Sequence, residues 1–129
     1  MARFLILTGA ATTLVAAMFI ASPHHAKAGD VPGQRVFEAN CAVCHSATRS
    51  GGASIGPRLY GVIDRKAGTV PGFSYSSAMK KSGLVWNEAN LKRYIADPRK
   101  VVPGNRMPFP GMHDQAKLDA LVSYLATLK

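Results

Sequence analysis

The clearest pattern of apolar and polar positions lies at the C-terminal end of the chain. Leu118, Leu121, Val122, Leu125 and Leu128 recur at i, i+3, i+4, i+7 and i+10, one stripe along a helix that Asp114 caps. A shorter stripe of Leu91, Tyr94 and Ile95 follows Asn87, a good N-cap, and Pro98 stops it because proline cannot donate to the preceding turn. Gly33 to Ala42 predicts another helix, with Val36 and Phe37 as candidate buried positions and Gly33 near its start. Phe73 to Ala78 begins a short helical turn that Gly83 ends. The rest is punctuated by Gly and Pro. Residues 46–69 read as loop and turn, and Val101 to Gly111 holds three prolines and two glycines, which excludes a regular helix or a central strand. There is no convincing strand, internal repeat or low-complexity tract. The expected class is all-α, with three to four short helices and long loops.

The N-terminus follows a different pattern. Arg3 precedes an apolar run from Phe4 to Ala21, and a small-residue stretch ends in Ala26-Lys27-Ala28, an A-x-A site suited to signal peptidase. Residues 1–28 are therefore expected to be a cleaved export signal and residues 29–129 the folded domain. The alternative is a retained membrane anchor, since the run approaches spanning length. No later segment is apolar enough to span a membrane.

A domain of this size builds only a modest core. Few helices and much loop leave room for a large apolar prosthetic group. The 129-residue chain carries 16 Lys and Arg against 7 Asp and Glu, and loss of Arg3 and Lys27 keeps it strongly basic. An exported protein has little access to nucleic acid, and no Lys/Arg block is interleaved with aromatics. An acidic protein partner is the better reading of the charge.

The most informative stretch is Cys41-Ala42-Val43-Cys44-His45. Cys-x-x-Cys-His is the attachment motif for c-type haem, and the spacing has a physical reason. Residues at i, i+3 and i+4 share one face of a helical turn. Cys41 and Cys44 then meet two vinyl groups at one porphyrin edge, and His45 brings an imidazole beneath the iron. Two alternatives use the same thiols. A redox-active disulfide calls for a βαβ setting that the chain lacks, and a zinc site needs a fourth ligand, for which only His113 remains.

The opposite face of the iron has four candidates: Met79, Met107, Met112 and His113. Most methionines are core filler. Met107 differs in its surroundings, Pro103-Gly104-Asn105-Arg106-Met107-Pro108-Phe109-Pro110-Gly111, a stiff irregular segment that can present a thioether at low entropic cost. Met112 is expected to be an apolar contact and His113 a solvent-exposed turn residue. Ligation by His and Met leaves no coordination vacancy and favours the ferrous state, which points to a carrier rather than a catalyst.

With these residues in view, the chain resembles the class I cytochromes c, the mitochondrial type and its bacterial soluble relatives, over essentially the whole mature length. Gly33-Gln34-Arg35-Val36-Phe37, Gly56-Pro57-Arg58-Leu59-Tyr60-Gly61, Arg65-Lys66-Ala67-Gly68 and Pro71-Gly72-Phe73-Ser74-Tyr75 carry the likeness. It implies the cytochrome c fold around one covalent haem c. It gives the Pro57 carbonyl the task of accepting a hydrogen bond from His45, and gives Arg65, Tyr75 and Trp86 contacts to the haem propionates. Tyr94 would lie near the methionine sulfur and Phe109 beside the exposed haem edge, and Phe37 should touch Tyr124 where the last helix crosses the first. Lys80, Lys81, Arg99, Lys100 and Arg106 would frame the haem edge. Three departures stand out: Met79 where the family commonly has Asn, Asn105 where it has Thr, and prolines on both sides of Phe109.

The expected function is a monomeric, soluble periplasmic carrier. It would run between a cytochrome bc-type complex and a terminal oxidase or other periplasmic acceptor, with a periplasmic dehydrogenase or reductase as a further candidate partner, touching membranes only transiently. A small peroxidase, a dehydrogenase subunit or a gas sensor would need an open or labile sixth site, and no distal acid–base pair is visible to support one.

Overall fold

The computed structural model describes residues 32–129, so the expected export signal lies outside the described residues. Five helices follow one another: α1 (Pro32–Asn40), α2 (Ser77–Lys81), α3 (Glu88–Ala96), α4 (Pro98–Val101) and α5 (Gln115–Thr127). Among the described residues there is no strand, only an isolated bridge between Lys66 and Val85.

The caps read from the sequence are in place. Asn87 Oδ1 accepts the Asn90 N–H at 2.8 Å, and Asp114 Oδ1 accepts the Lys117 N–H at 3.1 Å. Each satisfies one of the donors that a helix N-terminus leaves free. Helix α4 was not expected, and its existence rests on one residue used twice. Asp97 ends α3 through its N–H on the Arg93 carbonyl and begins α4 by accepting the Lys100 N–H on its carboxylate. Pro98 stops α3 and then fits the first turn of α4, where no N–H is needed.

The stripe of α5 forms the centre of the core. Leu118, Leu121 and Leu125 are fully buried, and Phe37, Leu91, Tyr94, Val102 and Met112 gather around them. Helix α1 packs across α5, and α3 packs against both α5 and α4. Phe37 and Tyr124 meet there with ring centroids 5.7 Å apart, the contact that the family resemblance implied. Gly33 allows the crossing. A Cβ at that position would overlap the Ala120 carbonyl oxygen and stand 2.6 Å from Tyr124 Cβ. A Lys92–Asp119 ion pair also links α3 to α5, but both side chains are about half exposed and such pairs contribute little.

The long connection from α1 to α2 pairs with the short one from α2 to α3. Trp86 N–H donates to the Arg65 carbonyl at 2.9 Å, and Ala67 N–H donates to the Leu84 carbonyl at 2.8 Å. This short pairing brings the Arg65 segment beside Trp86, which are 21 positions apart in the chain.

Candidate haem site

Helix α1 ends at Asn40, yet the backbone keeps turning. The Cys41 and Ala42 N–H groups both donate to the Phe37 carbonyl, at 2.7 and 3.0 Å, and those of Cys44 and His45 both donate to the Cys41 carbonyl, at 3.0 and 2.9 Å. One extra helical turn therefore sets Cys41, Cys44 and His45 on a shared side. Both thiols are free and only partly buried. Burial, with the neighbouring Cys44 adding to it, pushes the Cys41 thiol up to about 11. A thiol held protonated at neutral pH is the opposite of what disulfide exchange requires. Among the described residues no three His, Cys, Asp or Glu side chains gather as a set that could hold a metal ion by themselves.

His45 is held by the segment that follows. Its Nδ1 lies 2.7 Å from the Pro57 carbonyl oxygen. A carbonyl only accepts, so Nδ1 carries the hydrogen and Nε2 keeps its lone pair for a ligand. Burial also lowers the pKa of the imidazole, against the opposing effect of the Pro57 bond, and so favours the neutral ring. The close approach depends on Gly56, where a Cβ would stand 2.7 Å from Nδ1 and 3.0 Å from Nε2. Gly56 N–H on the Cys44 carbonyl (2.8 Å) and Leu59 N–H on the Ser46 carbonyl (2.7 Å) fasten this segment against the turn.

Of the residues expected at the propionates, Arg65 and Tyr75 lie within electrostatic reach of each other. Arg65 donates from Nη1 to the Tyr60 carbonyl at 3.0 Å and from Nη2 to the Arg58 carbonyl at 2.8 Å, which fixes the plane of its guanidinium. Its charge is felt at Tyr75, where burial raises the hydroxyl pKa while the Val70 backbone and Arg65 oppose the rise. Trp86 is buried, with its ring centroid 5.0 Å from that of Tyr94. Burial pushes the Tyr94 hydroxyl up to about 12, so it remains protonated.

Met107 and Phe109 lie partly buried against the core, as do Leu59 and Tyr75. Met112 is buried and His113 exposed, as the sequence suggested, and Met79 is buried in the core cluster. Lys80, Lys81, Arg99, Lys100 and Arg106 are all exposed. Sequence reasoning missed three features: the absent Cβ atoms of Gly33 and Gly56, the carbonyl partners of Arg65, and the hydrogen bonds of Asn105. Only the last had a local signal, because Asn after Pro-Gly commonly bonds to its own backbone.

The donor set fits a covalently held porphyrin. Two free thiols and a neutral imidazole leave one turn on the same side, and the missing Cβ of Gly56 makes room for the imidazole ring. An all-α chain built this way is a class I c-type cytochrome, with one haem c bound through Cys41 and Cys44.

The chain belongs to the cytochrome c family, whose profile matches residues 31–129. It is 48% identical over 97 residues to cytochrome c2 of Rhodoblastus acidophilus, covering 75% of this chain and 90% of that one. It is 39% identical over 106 residues to cytochrome c of Sesamum indicum, covering 81% and 96%. The solved structure of cytochrome cH from Methylobacterium extorquens superposes with a TM-score of 0.68 at 44% identity, covering 77% of this chain and 99% of that one. Proteins of this family transfer electrons and are not enzymes.

Proposed function

We propose that this chain is a mobile periplasmic one-electron carrier, with His45 and Met107 as the axial ligands of its haem iron. The carrying observation is the 2.7 Å bond from His45 Nδ1 to the Pro57 carbonyl, which keeps the ring hydrogen on Nδ1 and leaves the Nε2 lone pair for a metal. Haem c supplies a reversible one-electron couple at iron. The chain's own residues set its conditions. His45 and Met107 would supply both protein ligands to the iron and leave no place for oxygen or peroxide. The Arg65 guanidinium, with the Tyr75 hydroxyl in its field, would hold the negative propionates together with Trp86. Tyr94, a hydroxyl that stays neutral, would lie near the sulfur, and Phe109 would cover the haem edge.

Lys80, Lys81, Arg99, Lys100 and Arg106, all exposed, would form a positive frame around that edge. Charges of this kind speed and orient encounter without building tight affinity, which suits rapid exchange of partners. The partners proposed are the acidic faces of a cytochrome bc-type complex and a terminal oxidase, or of a periplasmic dehydrogenase or reductase. The working form is a monomer of residues 29–129, released by cleavage after Ala28.

Carbon monoxide titration of the reduced, haem-loaded protein tests the closed iron. The expected result is no appreciable binding by the native protein, and rapid saturating binding would reject the carrier. Pigment that stays on the polypeptide in acidified solvent tests the thioether links. The mass of the mature protein, with or without the first 28 residues, tests the cleavage.

A further inference from the structure

We infer that Asn105 is a positioning residue that holds Met107 in place, by means that a Thr at the same position cannot supply. The inference rests on the proposed ligation by Met107 and adds what keeps that sulfur in position. Asn105 uses its whole amide. Nδ2 donates one hydrogen to the Pro98 carbonyl and one to the Val102 carbonyl, both at 2.9 Å. Oδ1 accepts the Met107 N–H at 2.9 Å. These partners also fix the orientation of the amide, since the carbonyls can only accept and the Met107 N–H can only donate.

The two carbonyls bracket α4. Each already accepts one backbone N–H at 3.0 Å, Pro98 from Val102 and Val102 from Asn105 itself, and the Asn105 side chain adds a second donor to each, fastening the turn from outside. Met107 is thereby tied to α4, and through Asp97 to α3. Two further restraints act on either side. Arg106 Nη2 donates to the Ser74 carbonyl at 2.6 Å, bridging 32 positions of sequence to the segment before α2. Pro108 confines the Met107 backbone to extended conformations. A Thr hydroxyl has a single hydrogen and serves one carbonyl at most, so the same backbone with Thr would leave the other without this donor.

The release of a sulfur ligand requires its loop to move, so Asn105 should act on the rate of release. The test uses the haem-loaded ferric protein with free imidazole as the competing ligand, followed by loss of the sulfur-to-iron absorption band. At saturating imidazole the rate equals the rate of sulfur release. Asn105→Ala should raise it about tenfold, as expected for losing hydrogen bonds at a partly buried site. Asn105→Asp should raise it further, because a carboxylate faces two carbonyl oxygens, and Asn105→Thr should fall between Asn105→Ala and wild type. Asn90→Ala removes a comparable side-chain bond, Asn90 Nδ2 to the Val85 carbonyl at 2.8 Å, far from the loop and should leave the rate unchanged. A change caused only by general loosening would track the denaturant midpoint in all four variants.

Should Asn105→Asp not fold, Asn105→Ala and the exchange rate of the Met107 amide in the wild-type protein carry the test, with slow exchange expected. A release rate in Asn105→Ala within twofold of wild type overturns the inference while leaving Met107 as ligand. A wild-type protein without the sulfur band overturns the ligand assignment, and this inference with it.

Discussion

Replacing Gly33 with Ala sets two effects of opposite sign against each other. Alanine is the better helix former, and in a helix interior the change favours the fold by up to about 1 kcal/mol. The new Cβ, however, would overlap the Ala120 carbonyl oxygen and sit 2.6 Å from Tyr124 Cβ. Those atoms belong to the α5 backbone and the root of a side chain, and neither can swing aside. The helices must separate by roughly 1 Å, and a gap of that size forfeits a quarter to a half of the dispersion at the contact. Four side chains bear the loss: Phe37, Leu121, Tyr124 and Leu125, three of them buried. At about 2 kcal/mol of burial each, a quarter of the total is about 2 kcal/mol. The weakened Phe37–Tyr124 ring pair adds roughly 0.5–1.5 kcal/mol. After subtracting the helix gain, Gly33→Ala should destabilise the haem-loaded protein by about 2 kcal/mol. Guanidinium unfolding followed by far-ultraviolet circular dichroism reads this directly, and the thermal midpoint should fall by roughly 8–16 °C. An unchanged or raised midpoint would refute the reasoning, since helix propensity would then outweigh the crossing.

Other outcomes follow from the site. Met107→Ala should open the sixth position, lower the potential and admit carbon monoxide, and unchanged spectra would move the ligand to Met112 or His113. Tyr94 should resist titration until about pH 12, against an ordinary value of 10.0, as read by phenolate absorbance. The folded chain then holds a proton that the unfolded chain releases, so this contribution to stability is complete below pH 10 and is lost as pH rises towards 12. Stability flat across that window in wild type, relative to Tyr94→Phe, would show that burial does not shift the group. Association with an acidic redox partner should weaken as ionic strength rises. A flat salt dependence would remove the role given to the Lys80, Lys81, Arg99, Lys100 and Arg106 frame.

Determinants that act within a turn or two of chain were legible in the sequence. Asn87 and Asp114 cap the helices that follow them, the Leu118 to Leu128 stripe chooses its buried face, and Cys41, Cys44 and His45 share a side because of their spacing alone. Each depends on neighbours three or four residues away, whose relative positions helix geometry already dictates. Helix α4 is also made by near neighbours, but Asp97 hides it by ending one helix on Arg93 and starting the next with Lys100. The parts that tighten the site depended on the path of the chain: Gly33 and Gly56 matter for a Cβ they lack, and Arg65 and Asn105 find carbonyls set by the course of the loops. Gly33 meets its partners only when α1 and α5 close on one core. A sequence shows which groups are available, but the distance between groups far apart in the chain exists only after packing has set it.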